Sequence, residues 1–293
     1  MAGKDYYFYY EGGSDRRPSP EAIDRTTGRV ASIIKSEDPD LILLQEVDHG
    51  AKRTDHEDQL QNLLKQLPED YSCYSSAFYW KAAFAPHPKI MGSVGMKLAI
   101  VSKYKIEKGL RHQLPLKPDN WFVRQFDLKR AALEARLPRK EGKDLAIFNT
   151  HLTAFAFGSD VRSRQVEEIG KLLQDRSSAG LPWITGGDFN LRPPGKGEEN
   201  LSGSENSRDS REEDVLKPLF DRYRAIPGYE EVNGEDPEAW YTHFPNDPDI
   251  REPDKTIDYL FLSEKVSLRS RYVRSEDTLV ISDHLPVIAE ISL

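Results

Sequence analysis

Short apolar runs that suit buried strands alternate with segments of helical periodicity along this chain, and few folds accommodate such a pattern. Ser19 and Pro20 can cap and begin a helix, which Asp38 and Pro39 end. LILLQE, at 41–46, has the continuous apolar character of a strand that is covered on both faces. A second helix is expected around 60–67 and a third at 160–173, and further strands are expected at KLAIVS, RAALEARL, DLAIFN, PWITGGD, TIDYLFL and PVIAEISL. The mixture predicts an α/β fold in which two packed sheets carry helices outside.

The chain shows no internal boundary that would separate two domains. No stretch rich in proline, glycine or serine occurs near the middle, and no repeat is present. We therefore expect one domain over residues 1–293. The polar, acidic stretch GKGEENLSGSENSRDSREED, at 195–214, is expected to be a mobile loop, and a flap beside the site is the alternative.

Composition excludes several classes of protein. A formal net charge of -8 argues against a broad basic surface for nucleic acid, although a local basic groove stays open. The single cysteine, Cys73, excludes an intramolecular disulfide framework and a cysteine-rich zinc site. No apolar run is long enough to span a bilayer, and the sequence as given opens without the apolar core of a signal peptide. A cytoplasmic location is expected, with a longer precursor left open.

Acidic, amide and imidazole side chains recur at the ends of the expected strands. These are Glu46, His151, Asp188, Asn190, Asp258, Asp283 and His284. Each alone has an ordinary explanation as a turn, cap or structural residue. Together they suggest that these side chains share one crevice, because the C-terminal ends of neighbouring strands converge. An aspartate inside TIDYLF is especially hard to explain structurally, since burying an unpaired charge is costly.

This set of side chains suits the hydrolysis of a phosphate ester. Carboxylate and amide oxygens are ligands for Mg²⁺ or Mn²⁺. Histidines can donate hydrogen bonds to a phosphoryl group as negative charge builds on it. No HExxH pair, the signature of many zinc hydrolases, is present.

Five motifs carry a resemblance to a known family. LLQEVD, NTHL, GGDFN, TIDYLF and SDHLPV follow one another from about residue 40 to the end, and KRAALEARL is a weaker match. In these the chain resembles the endonuclease/exonuclease/phosphatase family. The resemblance implies a four-layer α/β sandwich of two packed mixed sheets flanked by helices, a divalent cation, and hydrolysis of a phosphodiester or phosphomonoester.

The resemblance also implies roles for individual residues. Asp188 corresponds to the carboxylate that orients or deprotonates the attacking water, and Asn190 holds water or phosphate beside it. His284 corresponds to the histidine that contacts the scissile phosphate, Asp258 to the group that fixes its ring, and His151 to a second histidine of some branches. Because residues two apart in an extended chain face the same way, Asp188 and Asn190 are expected side by side, while Phe189 points the opposite way and packs inward.

Metal binding is expected at Glu46 and Asp283, which match the acidic ligands of the family. Arg130 could contact a phosphate oxygen, or it could be an exposed strand residue. One family feature is missing. Similar proteins begin with a strand that carries a metal-binding asparagine, whereas KDYYFYYEGGSDRRPS, at 4–19, resembles the loop after it. We therefore expect weaker metal binding and an exposed sheet edge that favours a homodimer.

The substrate is the least determined part. Tyr79 and Lys81 could stack on a base or hold a phosphate, or the aromatic residues of this stretch pack under a loop. The first hypothesis is a metal-dependent phosphodiesterase or nuclease acting on nucleic-acid ends or single strands. A phosphatase or a sphingomyelinase-like phospholipid phosphodiesterase is the second, and a catalytically impaired binding module is the third.

Overall fold

The computed structural model describes residues 17–154, 158–195, 215–247, 249–250 and 252–293. Apart from Gly195, the acidic stretch predicted to be a loop therefore lies outside the described residues, as do the first 16 residues. Within the described ranges, no helix is both long enough and apolar enough to cross a membrane.

Helix α1 forms where the sequence predicts it. It spans Pro20–Glu37, and the Ser19 side chain caps it by accepting a hydrogen bond from the Ala22 amide at 3.2 Å. Asp38, in the left-handed conformation, ends the helix. The chain then turns directly into the first strand, β1, at Leu41–Asp48.

One large sheet of six strands forms the centre of the molecule. Its order is β4-β5-β6-β7-β9-β8, and β6 and β7 are its parallel pair. The strands are β4 (Lys108–Gln113), β5 (Ala131–Leu137), β6 (Leu145–His151), β7 (Trp183–Asp188), β8 (Arg224–Ile226) and β9 (Asp258–Leu262).

The layer that faces the large sheet is in two parts. The small sheet has the order β1-β3-β2, with β2 at Cys73–Ala85 and β3 at Gly92–Ser102. The C-terminal pair consists of β10 (Ser267–Val273) and β11 (Val287–Ser292). An apolar core, which includes Leu98, Ile147 and Leu262, lies between the two layers.

Helices cover both outer faces. On the large sheet, α4 (Val161–Ser178) and α5 (Lys217–Arg222) bury apolar side chains against β6, β7 and β9. Helices α1 and α2 (Gln59–Leu64) cover the small sheet. The remaining short helices are α3 (Trp121–Arg124), α6 (Tyr229–Val232) and the 3-10 turns Lys52–Thr54 and Pro237–Trp240. The predicted fold class, a four-layer α/β sandwich with two packed sheets, is confirmed.

Candidate active site

Three polar side chains lie side by side at the ends of neighbouring strands of the large sheet, because of the strand register. His151 is the last residue of β6, and it lies beside Asp188, the last residue of the parallel strand β7. Asp188 in turn lies beside Asp258, the first residue of the antiparallel strand β9. Asp258 therefore stands at a strand end, and not inside a strand as the sequence suggested.

Asp188 and Asn190 are brought together by a tight turn. The Asn190 side chain donates to Asp188 Oδ2 at 3.0 Å and to the Leu152 carbonyl at 3.2 Å. The backbone N–H of Asn190 donates to Asp188 Oδ1 at 2.8 Å. Asn190 has φ +52°, so the chain is not extended here, and the expected reason for their proximity was wrong. The expectation that Phe189 packs inward is confirmed, since its ring is fully buried.

One of the two glycines before Asp188, Gly187, is required by the backbone geometry. Its φ is +141°, and a Cβ at this position would lie 2.0 Å from the Thr150 carbonyl oxygen. Only glycine permits this approach of β7 to β6. The close contact is thus between two strands.

The Asp188 carboxyl group lies in a buried and crowded position. Its Oδ2 is 3.2 Å from His151 Nε2 and 4.0 Å from His284 Nε2. Burial raises the pKa of Asp188 to about 7, with His284 opposing the shift and Asp258 adding to it. This carboxyl group can therefore gain or lose a proton close to neutral pH.

His284 is held by Asp258. The two groups form a hydrogen bond of 2.9 Å between His284 Nδ1 and Asp258 Oδ2, which leaves Nε2 directed towards Asp188. Burial lowers the pKa of His284, but the charges of Asp258, Asp188 and Asp283 outweigh it and hold the pKa well above its ordinary value. The ring therefore stays a charged donor at neutral pH.

Thr242 supports Asp258 from the other side. Its buried hydroxyl oxygen accepts the amide protons of Ile257 at 3.0 Å and Asp258 at 3.1 Å. No sequence motif distinguishes this threonine.

Tyr79 supports His151 and is not a platform for a base. Its ring is 1% exposed, and its hydroxyl group is hydrogen-bonded to His151 Nδ1 at 3.1 Å. Burial, followed by Glu46, raises the pKa of Tyr79 well above its ordinary value, so this hydroxyl stays neutral. Burial, Arg130 and His284 lower the pKa of His151 well below its ordinary value. His151 is thus neutral. When Asp188 is ionised, its carboxylate can only accept from His151, so the imidazole proton lies on Nε2 and Nδ1 accepts from Tyr79.

The predicted base stacking by Tyr79 is therefore wrong, because a buried ring cannot receive a base. The alternative, in which the aromatic residues of this stretch are packed, holds for this residue. Lys81 is exposed, and its ammonium lies 4.5 Å from the centroid of the Phe78 ring. Lys81 does not line the cleft that contains Asp188.

Arg130 is buried, so the expectation of an exposed strand residue does not hold. Its side chain lies over the Tyr79 ring, with 5.2 Å between Cζ and the ring centroid, and it lines the cleft. Among the described residues, its buried Nη1 atom finds no hydrogen-bond partner. A buried cationic donor of this kind fits an anion in the cleft.

Glu46 lies on a β-bulge at the other side of the cleft. The pairing of β1 with β3 shifts between Leu44 and Val47, and Glu46 itself has φ +55°. The bulge leaves the Glu46 side chain exposed while its neighbour Val47 is fully buried. Bulges of this kind redirect side chains next to active sites.

A second group of potential metal ligands lies beside His284. Among the described residues, His243, Asp283 and His284 have ligand atoms within 4.8 Å of one another. Burial raises the pKa of Asp283, but His284 and His243 outweigh it and lower the pKa. The sequence did not predict His243, whose ring meets that of His284 edge to face at 4.6 Å. Glu46 lines the same cleft without belonging to this cluster.

The donor set fits a divalent cation. Asp283 supplies an ionised carboxylate, Glu46 a second carboxylate across the cleft, and His243 a nitrogen ligand, whereas the charged His284 cannot bind a metal. The orphaned donor of Arg130 adds a place for the oxygen of a metal-bound anion.

Comparison with known proteins assigns the family. The sequence profile of the Endonuclease/Exonuclease/phosphatase family matches residues 11–284. The chain therefore belongs to this family. No curated protein matches the sequence.

Several solved structures share the fold. An endonuclease/exonuclease/phosphatase from Beutenbergia cavernae is 23% identical with a TM-score of 0.62, over 91% of this chain and 66% of that one. The human Nocturnin catalytic domain with bound sulfate is 21% identical with a TM-score of 0.58, over 92% and 86%. A mannosyl-6-phosphatase from Bacteroides thetaiotaomicron is 17% identical with a TM-score of 0.55, over 92% of each chain.

Proposed function

We propose that this protein is a divalent-metal-dependent hydrolase of phosphate esters, of the phosphodiesterase or nuclease type, in which water attacks phosphorus in line. The observation that carries the proposal is the arrangement around Asp188. A buried carboxyl group that titrates near neutrality lies between a neutral imidazole at 3.2 Å and a charged imidazole at 4.0 Å. Such a group is matched to accept a proton from water.

The roles of the other residues follow from their contacts and protonation states. Asn190 fixes the Asp188 carboxylate through its side chain and its amide. His151 donates a hydrogen bond from Nε2 to the Asp188 carboxylate, and this bond keeps the carboxylate in place. His284, charged and anchored by Asp258, donates from Nε2 to the phosphoryl oxygen as negative charge builds there. Arg130 takes a second phosphoryl oxygen.

Asp283 and Glu46 are the residues that would hold Mg²⁺ or Mn²⁺. When bound, such an ion polarises a phosphoryl oxygen and offsets the charge that develops in the transition state. Asp283 is suited to this role because His284 and His243 keep its pKa low, so its carboxylate stays ionised.

The class of phosphate ester is the finer part of the proposal. The net charge of -8 disfavours long duplexes and leaves nucleic-acid ends and single strands as the expected partners. The sulfate in the related Nocturnin domain has the tetrahedral shape of a phosphate, which supports an anion-binding cleft. A related mannosyl-6-phosphatase keeps the phosphatase alternative open.

The test is Asp188→Asn, assayed on bis(p-nitrophenyl) phosphate with Mg²⁺ or Mn²⁺. We expect turnover to fall about 10²- to 10⁴-fold, because an amide cannot take the proton. The wild-type rate should rise with pH through about 7, as Asp188 loses its proton, and the residual rate of the variant should lack this limb. Asp221→Asn is the matched control, since Asp221 is exposed and, among the residues that the structure describes, pairs with Lys217 four positions away.

An Asp188→Asn variant with wild-type turnover would refute the role of Asp188. Faster hydrolysis of p-nitrophenyl phosphate than of the diester would favour the phosphatase alternative. A folded wild type that hydrolyses neither ester with either metal would support a binding module.

A further inference from the structure

Positive charge is concentrated in one segment of this acidic chain. Residues 81–130 contain eleven lysine and arginine residues and three acidic residues, which gives the segment a formal charge of +8. The whole chain carries -8, so the rest of it carries -16. A segment of opposite sign to its surroundings orients a protein towards an anionic partner.

The last part of this segment, residues 121–129, is fixed to the wall of the cleft. Trp80 of β2 donates from Nε1 to the Phe126 carbonyl at 2.7 Å. The backbone N–H of Lys129 donates to the Tyr79 carbonyl, also in β2, at 2.6 Å. Helix α3 begins this stretch, so its position relative to the cleft is set by these bonds.

Basic side chains surround α3. Arg111 of β4 donates to the carbonyl oxygens of Phe78 and Lys129, each at 2.8 Å, and so joins β4 to β2 and to the stretch that follows α3. Lys81 lies beside it, with its ammonium 4.5 Å from the centroid of the Phe78 ring. Arg124 belongs to α3 itself and is exposed, as are Lys81 and Arg111. We call these four cationic residues, with Lys129, the basic surface.

Helix α3 exposes three consecutive large apolar residues at this basic surface. Trp121, Phe122 and Val123 are 75%, 62% and 42% exposed. The helix is capped by Asn120, whose side chain accepts from the Val123 N–H at 3.0 Å. Because a helix has about 3.6 residues per turn, three consecutive side chains cover more than half of its circumference. An exposed apolar cluster of this kind marks an interaction site.

We propose that α3 and the basic surface dock on an anionic lipid bilayer. Tryptophan and phenylalanine are favoured at the boundary between water and hydrocarbon, and lysine and arginine beside them are attracted to anionic head groups. Single-stranded nucleic acid fits less well, because its bases stack on flat rings and Val123 offers none. Phe122 and Val123 also line the cavity that contains Asp188, so docking would bring the cleft next to the lipid surface.

The test is co-sedimentation of the full chain with phosphatidylcholine vesicles, with and without phosphatidylserine. EDTA is present, so the outcome does not depend on the proposed hydrolysis. We expect phosphatidylserine to tighten binding at least about tenfold, and added salt to weaken it. Trp121→Asp and Phe122→Asp should each weaken binding at least about tenfold, and Arg124→Glu should also weaken it. Tyr229→Asp, at a 53% exposed position in α6, is the control and should bind like the wild type.

Tryptophan fluorescence tests whether α3 enters the bilayer. Of the four tryptophans, Trp121 is exposed, and the other three are buried or partly buried. Lipids with brominated acyl chains should therefore quench the wild type through Trp121. Trp121→Phe should bind within about twofold of the wild type and lose most of this quenching, because phenylalanine keeps the apolar character of the position.

Two results would overturn the proposal. One is a folded wild type that does not bind phosphatidylserine vesicles, and the other is binding that neither Trp121→Asp nor Phe122→Asp weakens. Circular dichroism and urea unfolding check that the variants are folded. Binding of a single-stranded oligonucleotide that the same substitutions abolish, without binding to vesicles, would overturn the proposal in favour of nucleic acid.

Discussion

Replacing Glu134 by glutamine should destabilise the protein strongly at neutral pH and much less in acid. Glu134 lies in β5 and has no part in the proposed chemistry. Its side chain is fully buried. Its carboxylate accepts from Arg176 of α4 at 2.9 and 3.0 Å, contacts His112 of β4 at 2.7 Å, and is bonded to Arg136. These contacts join β4 and β5 to α4.

The magnitude follows from the pKa. Burial raises the pKa of Glu134, but hydrogen bonds from His112, Arg176 and Arg136 outweigh it and lower the pKa from 4.5 to about 2. This shift corresponds to about 3 kcal/mol of stability in the ionised form. Because the folded-state pKa is depressed, the contribution is complete above the unfolded pKa of 4.5 and is lost as pH falls towards 2. At pH 3 about 1 kcal/mol should remain.

The assay is urea unfolding of wild type and Glu134→Gln, followed by circular dichroism between pH 3 and pH 7. The difference in unfolding free energy should shrink from about 3 to about 1 kcal/mol as the pH falls, with an unchanged urea dependence. Glu167→Gln is the control, because Glu167 and its partner Lys171 are both more than half exposed, and it should change stability by less than about 0.5 kcal/mol. A loss that is equal at both pH values would refute the reasoning, since it would not depend on ionisation.

Three further substitutions test the site. Tyr79→Phe removes the donor to His151 and should cost about 1 kcal/mol in urea unfolding while lowering kcat more than it raises KM; an unchanged kcat would show that this bond does not matter to turnover. Arg130→Ala should raise KM for the diester about tenfold or more, and an unchanged KM would exclude the phosphate contact. Asp258→Asn should lower the pKa of His284 in an NMR titration, and a pKa that stays high would contradict the assigned pairing.

The sequence predicted the buried strands well and the exposed ones poorly. KLAIVS, DLAIFN and PWITGG lie in β3, β6 and β7, where each strand is covered on both faces and therefore reads as an apolar run. Strands β4 and β10 expose most of their residues, and charged side chains interrupt any apolar run in them. Their position depends on pairing with β5 and β11, which no local pattern reveals.

The site divides in the same way. Residues that follow buried strands, such as His151 and Asp188, could be found because a polar group at a strand end breaks the apolar pattern. His243 and Thr242 lie outside the named strands, and isolated bridges of His243 to His284 and to Lys255 bring this segment to the site. The bulge at Glu46 and the left-handed turn at Asn190 are also invisible in sequence, because neither residue is a glycine.

We propose different tasks for two carboxyl groups that line one cleft. Asp188 is buried opposite Asp258, and burial together with that charge raises its pKa to about 7. Asp283 is only partly buried, and although burial raises its pKa, the two neighbouring imidazoles and the Ser282 hydroxyl lower it overall. A group that stays ionised is suited to hold a cation, whereas one that titrates at neutrality is suited to move a proton. Because His284 lies between them and compensates both charges, its partner Asp258 affects the two roles at once.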